Sequence, residues 1–295
     1  YSAAWNIAEE TFIKKNLKWI NMFKVRYSYG KVGSDYVNNI RFPYLPEFGN
    51  KNEASYNWGD YNNGNKYNAL TYTSIASRNI TWEIATKHDL GVDLSLWNDK
   101  LTATVDYFHE TRDGIYMKRA NLPWIVGMNG LAAAANVGKI RSTGFDGNFA
   151  FRQKIGKVDL TARGNFTYSK NKILEYDEVN SIYPYRQQAG RRVDQAVGLV
   201  ALGLFKDYDD IRNSPDQSAL GTQIMPGDIK YKDINSDGVI NDNDIVPIGA
   251  TTRPNLIYGF ALSAIWNGFD INAHFQGAGK SSFFIKGQSV HAFSQ

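Results

Sequence analysis

Cysteine is absent from the 295 residues. Disulfides, thiolate metal sites and cysteine nucleophiles are therefore excluded. Such a chain suits passage through an oxidising periplasm, although many cytosolic bacterial chains share the trait. No segment is apolar for long enough to make a membrane helix. No run of Lys or Arg stands out, and a formal charge of +4 is too small to argue for nucleic acid. The four histidines, His88, His109, His274 and His291, are not paired at metal-ligand spacing. There is no Gly-rich phosphate loop and no GxSxG elbow, and no Asp/Glu pair has a setting that marks it as catalytic. No enzymatic activity is expected. The chain begins at Tyr1 with neither methionine nor signal peptide, which reads as a piece of a longer protein.

Aromatics and glycine are plentiful: Tyr 18, Phe 16, Trp 7 and Gly 26. The mean hydropathy of −0.42 looks soluble. A transmembrane barrel would look the same, because only alternate residues of its strands face lipid. Alternation is what the sequence displays. Val158, Leu160, Ala162, Gly164, Phe166 and Tyr168 oppose Asp159, Thr161, Arg163, Asn165, Thr167 and Ser169. Leu101, Ala103, Val105 and Tyr107 oppose Thr102, Thr104, Asp106 and Phe108. Phe145, Gly147, Phe149 and Phe151 oppose Asp146, Asn148, Ala150 and Arg152. Phe269, Ile271, Ala273 and Phe275 oppose Asp270, Asn272, His274 and Gln276. Charges in mid-strand suit the solvated face of a sandwich and equally a water-filled lumen.

Loop lengths separate the two. Strands are expected near 19–30, 80–97, 100–117, 136–152, 157–173, 255–266 and 269–277. The short connections are Asn98-Asp99, Gln153 to Gly156, and Asn267-Gly268, the last a type I′ hairpin signal. The long ones are 31–79, 118–135 and 175–252. Every short turn falls at one end of the strands and every long loop at the other, the asymmetry of outer-membrane barrels. Trp97 and Trp266 each end a strand just before a short turn, which suits an interfacial aromatic girdle; for either alone, plain core packing competes.

The longest loop contains DINSDGVINDND, residues 233–244. Asp233, Asn235 and Asp237 stand at the first, third and fifth positions, Gly238 at the sixth, Val239 at the seventh, Asn241 at the ninth and Asp244 at the twelfth. That is calcium-loop spacing: side-chain oxygens, one backbone carbonyl at Val239, and a closing carboxylate around a glycine turn. Aspartate replaces the usual glutamate at the twelfth position, as in dockerin-type loops. A structural Ca²⁺ is expected; Mg²⁺, which prefers a tighter octahedron, is the weaker candidate, and a metal-free Asn/Asp/Gly turn is the plain alternative. A loop this long needs internal order, and a strand across Val197 to Phe205 would add to it.

A second loop, 44–72, is rich in aromatics and asparagine. Sugar sites combine aromatic faces with amide side chains, so Tyr56, Trp58, Tyr61 and Tyr67 are candidate substrate contacts; packing within the loop or on a partner competes. Arg191 and Arg192 read as solvated charge or as a contact for an acidic partner.

Several segments together resemble the SusC/RagA family of TonB-linked outer-membrane transporters of Bacteroidetes. They are FKVRYSYGKVGSD (23–35), ITWEIATKHDLGVDLSLWNDKLTATVDYFHETRDGIY (80–116), NVGKIRSTGFDGNFAF (136–151) and the stretch from Pro226 to Lys280. The resemblance implies an all-β fold, an antiparallel transmembrane β-barrel. This chain would supply a later part of a barrel of about 22 strands, with the N-terminal plug and TonB-contacting segment not included. Residues 1–295 would then be a partial barrel carrying a long extracellular loop at about 175–252. The resemblance further implies TonB-driven import of bulky nutrients, glycans or oligosaccharides and sometimes peptides, across the outer membrane. A SusD-like surface lipoprotein would cover the mouth as a lid, and outer-membrane lipid would surround the strands. Two other classes compete. A passive porin would lack plug and lid. A soluble carbohydrate-active or dockerin-bearing protein would carry a second calcium loop and a helix after each; here Asp244 is followed by IVPIGATTRP, whose prolines oppose a helix.

Overall fold

The computed structural model describes the chain except residues 38–40, 60–63, 121–132, 222 and 286–295. Its principal element is an antiparallel sheet of eight strands. They are β1 (Ser2–Asn6), β2 (Ile20–Ser34), β5 (Glu83–Leu96), β6 (Leu101–Lys118), β7 (Ala134–Ile155), β8 (Val158–Glu175), β13 (Leu256–Trp266) and β14 (Phe269–Gly279), laid side by side in that order. The fold is therefore the all-β sheet expected from the alternation. The outermost strands, β1 and β14, do not pair with each other among the described residues, so the sheet is an open arc of wall. All seven anticipated strands are present. β2 runs past the expected stop at Gly30, because Lys31 to Ser34 continue to pair with Thr86 to Glu83. β1 was not anticipated; SAAWN is too short to show a period.

Register puts every polar set on one side. Arg26 pairs with Gly91, Gly91 with Asp106, and Asp106 with Asp146. Asn148 pairs with Asn165, Asn165 with Gly259, and Gly259 with Gln276. Arg163 pairs with Ala261 and Ala261 with His274. Directly opposed residues share a face, so one continuous polar surface crosses the strands. By the same parity Leu101, Val105, Leu160, Ala162, Phe166, Ile271 and Ala273 form the apolar surface behind it, and Asp106, Asp159, Arg163, Asp270 and His274 share the polar one.

Among the described residues, neither face of the sheet is covered by a second layer of the chain, as a water-soluble sheet would require of its apolar side. On the apolar face Leu262 is 55% exposed and Phe260 45%. On the polar face Arg163, Asn165 and His274 are exposed, and only around Arg26 do side chains cover one another, leaving Asp93 and Asp106 18% and 15% exposed. A wall of exposed Leu and Phe this broad is untenable in water; it belongs against hydrocarbon. Aromatic rings bracket it. Trp19 stacks on Trp97 at 5.9 Å and Trp266 on Phe269 at 6.4 Å at the short-turn end, where the girdle was expected. Tyr258 marks the other end of β13. From Tyr258 to Trp266 is about nine residues, enough for a tilted strand to cross the bilayer.

The turns explain the tight end. Asn267 and Gly268 have φ of 50° and 88°, the two left-handed positions of a type I′ hairpin. The β7–β8 turn sits at Gly156 and Lys157, slightly later than the expected Gln153 to Gly156, because pairing persists to Ile155 and Val158. The β1–β2 link also lies at this end and carries a short helix, α1 (Thr11–Asn16). The long connections, 35–82, 119–133 and 176–255, lie at the opposite end.

Those connections hold their own ribbons. β3 (Glu47–Trp58) pairs with β4 (Asn65–Ser74). In the longest loop β9 (Gln195–Gly198) pairs with β12 (Val246–Thr251), and β10 (Ala201–Leu204) with β11 (Ile229–Tyr231). The single strand expected across Val197 to Phe205 is thus two strands with different partners.

Candidate functional site

The polar face is organised around one arginine. Arg26 donates from Nε to Asp93 Oδ2 at 3.0 Å and from Nη2 to Asp106 Oδ2 at 2.9 Å. Gly91, between them in the row, leaves the space the guanidinium fills. Further along, Asn148, Arg163, Asn165, Asn272 and His274 line a shallow polar groove. Such a surface is hydrated and charged. It suits a lumen, and nothing in it assembles a nucleophile, base and acid.

At the loop end, the β3–β4 ribbon carries the aromatic candidates. Tyr56 pairs with Tyr67 and Trp58 with Asn65, so Tyr56, Trp58 and Tyr67 share one ribbon face. Tyr56 and Trp58 meet edge to face at 5.2 Å, and all three rings are exposed. Tyr61 lies outside the described residues, as does His291. Phe48 and Tyr72, 4.4 Å apart, brace the base of the ribbon.

The 233–244 loop wraps as its spacing demands. Ser236 and Gly238 take φ of 61° and 83° and turn the chain between the first and seventh positions. Asp233 accepts from the backbone N–H of Ser236 at 2.6 Å and of Gly238 at 2.8 Å. Asp237 accepts from Val239 N–H at 2.9 Å. Asp244 is fully buried; it accepts from Ile234 N–H at 2.8 Å and from Asn241 N–H at 2.9 Å. Asn241 in turn caps the short 3₁₀ turn Asp242–Asp244. The donor set is all oxygen, as a hard cation requires, and each carboxylate oxygen keeps a further lone pair. Among the described residues no three His, Cys, Asp or Glu side chains converge as a metal cluster. Asn235 Nδ2 donates to Asp237 Oδ2 at 2.8 Å, so its amide would have to turn over to present oxygen to an ion.

The loop is clamped by residues that its spacing does not reveal. Asp216 N–H donates to Gly238 O at 2.9 Å and Ile240 N–H to Asp216 O at 2.7 Å, which buries Ile240 completely. Tyr185 donates from its hydroxyl to Asn243 O at 2.7 Å, and Tyr183 Oη accepts from Asn235 Nδ2 at 3.1 Å. Desolvation, with Asp244 nearby, raises the Tyr185 hydroxyl above its ordinary pKa. Nearby, Gln217 bridges Ile229 O and Tyr231 N–H. Only the calcium spacing was visible in the sequence; no local pattern announces Asp216, Tyr183 or Tyr185.

The sheet, its exposed apolar face and its long loops at one end have a match among known families. The family described as TonB dependent receptor-like, beta-barrel, matches residues 16–273. The chain belongs to that family. TonB-dependent receptor P26 of Formosa agariphila is 27% identical over the whole of this chain and 29% of its own length. TonB-dependent receptor SusC of Bacteroides thetaiotaomicron is 27% identical over 90% of this chain and 27% of its own length. The chain thus spans under a third of the receptors it matches. Among solved structures, the RagAB peptide importer in its open-open state superposes with a TM-score of 0.68, at 16% identity, over 95% of this chain and 28% of that one. At that identity the likeness establishes the barrel fold, and the receptor barrel's cargo must be argued from the residues.

Proposed function

We propose that this chain is barrel wall and outer loops of an outer-membrane transporter that imports bulky nutrients, glycans or oligosaccharides or else peptides, energised by the TonB system. The single observation that carries the reading is the pairing of a lipid-type apolar face with a continuous polar face, with all the long strand-bearing loops at one end. A structure this asymmetric is suited to face an external partner and a solute. Membership in the TonB-dependent receptor family supports the energy source, and the likeness to the RagAB peptide importer supports peptides among the cargo classes.

The long loops, in this reading, are extracellular and contact a SusD-like surface lipoprotein. Tyr56, Trp58 and Tyr67 are exposed where such a lid or its cargo would arrive, with Tyr61 assigned to the same group on sequence. Loop 233–244 holds a structural Ca²⁺ through Asp233, Asn235, Asp237, Asn241 and Asp244, with the Val239 carbonyl. The ion supplies no chemistry beyond fixing the loop. Deleting the gene from its native host and measuring growth on single glycans or on peptides tests import. Co-purification of a surface lipoprotein from solubilised membranes tests the lid. Unaltered growth on every polymeric carbon source the host uses would overturn the import reading.

A further inference from the structure

A cavity of about 420 Å³ opens where the loop ends of β6, β7 and β8 meet the segment 188–197. Ile140 and Ile173 oppose each other in its floor. Both continue the parity of the polar face, Ile140 with Asp146 on β7 and Ile173 with Arg163 on β8. The roof is fixed. Ile173 N–H donates to Arg191 O and Gly190 N–H to Ile173 O, each at 2.8 Å, and Val193 N–H donates to Asn171 Oδ1 at 2.8 Å.

Two guanidinium groups line this cavity without full partners. Arg191 Nη2 donates to the Tyr185 carbonyl, but its Nε is buried and has no acceptor among the described residues. Arg192, also in the lining, makes no hydrogen bond or ion pair among the described residues. A buried cationic N–H left unmatched is costly, and it marks this end of the cavity as short of acceptors. The competing anions are few. Asp194 is tied to Arg253 at 3.3 Å; the third cation of the lining, Lys139, is tied to Asp113 at 2.7 Å. Glu175 is the remaining carboxylate in the lining, against one guanidinium with no hydrogen bond or ion pair among the described residues, Arg192, and one only partly matched, Arg191.

We infer that this cavity is an oxyanion-recognition subsite for the cargo. It rests on the import reading and names the cargo's chemistry: one unit bearing a carboxylate or sulfate. The volume lies at the small end of ligand pockets, about one sugar ring or one amino-acid residue. The oxyanion accepts from the guanidinium of Arg192 and from the Arg191 Nη donors left over by the Tyr185 carbonyl. The unit's less polar face lies on Ile140 and Ile173. Two sources carry this group, an acidic saccharide or the C-terminus of a peptide.

The test is calorimetric titration of the full-length receptor in detergent with glucuronate, glucose, tri-alanine, tri-alanine amide and inorganic sulfate. At least one acidic member should bind about tenfold more tightly than its neutral partner, and the preference should weaken with salt. Glucuronate over glucose assigns a saccharide source; tri-alanine over its amide assigns a peptide source. Arg192→Gln, which removes no hydrogen bond or ion pair among the described residues, should abolish that preference and leave the melting temperature unchanged. Equal binding of acidic and neutral probes, or an unaffected Arg192→Gln variant, overturns the subsite. So does sulfate binding alone, an adventitious ion only. Because the readout is binding to purified receptor, a failure here is separate from a failure of import, which growth reports.

Discussion

Gly91 lies beneath the guanidinium of Arg26: a β-carbon on Gly91 would come within 2.6 Å of Arg26 Cζ. The glycine is what lets Arg26 reach both Asp93 and Asp106 across three strands. Gly91→Ala should therefore displace the arginine and strain the row, at about 1–3 kcal/mol as for other overpacked sites. Gly30→Ala is the control, since nothing lies within 4 Å of a β-carbon there. Heat-modifiable gel mobility of the folded barrel reads the difference. Equal midpoints for the two variants would show that Gly91 has no such role.

Leu262 and Ala261 are neighbours on β13 that point to opposite faces. Leu262→Lys places a charge against hydrocarbon and should cost about 2–4 kcal/mol of folding into bilayers if it lies near the midplane. Ala261→Lys, pointing to the polar face beside Arg163 and His274, should cost well under half of that. Denaturant titration of refolding into lipid vesicles measures both. A larger loss for Ala261→Lys would reverse the assignment of lipid and lumen.

The wall was legible because a strand buried differently on its two faces must alternate, and a one-residue slip would turn every Leu into the lumen. Turn chemistry at Asn267-Gly268 then fixed the register locally. The β3–β4 ribbon was not legible. Its register shifts between Lys51 and Tyr56, which breaks the alternation, and its Asn and Lys content reads as loop. The turn at 233–244 was legible because the Asp, Asn and Gly positions that shape it lie within one short segment. Its clamps come from distant positions, Tyr183, Tyr185 and Asp216, and depend on tertiary folding alone. Arg191 and Arg192 read as solvated charge for the same reason: their cavity is made by Ile140 and Ile173, far away in sequence.

Two carboxyls in the long loop should make its acid response late. The Lys230 ammonium at 2.7 Å, with Lys206 N–H behind it, holds Asp210 below the ordinary carboxylate range. The Ser218 backbone N–H at 2.9 Å, then its hydroxyl, does so for Asp216. A depressed folded value means stability that is present above the unfolded value, near ~3.9, and lost as pH falls through the folded one. Hydrogen exchange of residues 205–221 should stay flat from neutral pH to about 5 after correction for intrinsic rates, then rise below about 4. Protection that fades already between pH 7 and 5 would contradict this.

Asp237 and Asp244 separate the metal from the fold. Asp244 is buried and receives two backbone N–H groups, so Asp244→Ala leaves them unpaired and should loosen the loop by about 1–3 kcal/mol whether or not an ion is bound. Asp237 is exposed and receives Val239 N–H and Asn235 Nδ2; without metal, water replaces it at little cost. With calcium bound, Asp237 is one of three carboxylates balancing a divalent charge, and its loss should weaken the site severely. Limited proteolysis within 207–250 therefore has a distinct pattern. Wild type should be protected in calcium and cut faster in EGTA. Asp237→Ala should be cut at the EGTA rate in both, and Asp244→Ala faster than either. Cleavage of the wild type that ignores EGTA, together with Asp237→Ala matching wild type, would leave an Asn/Asp/Gly turn held by its own amides and no calcium site.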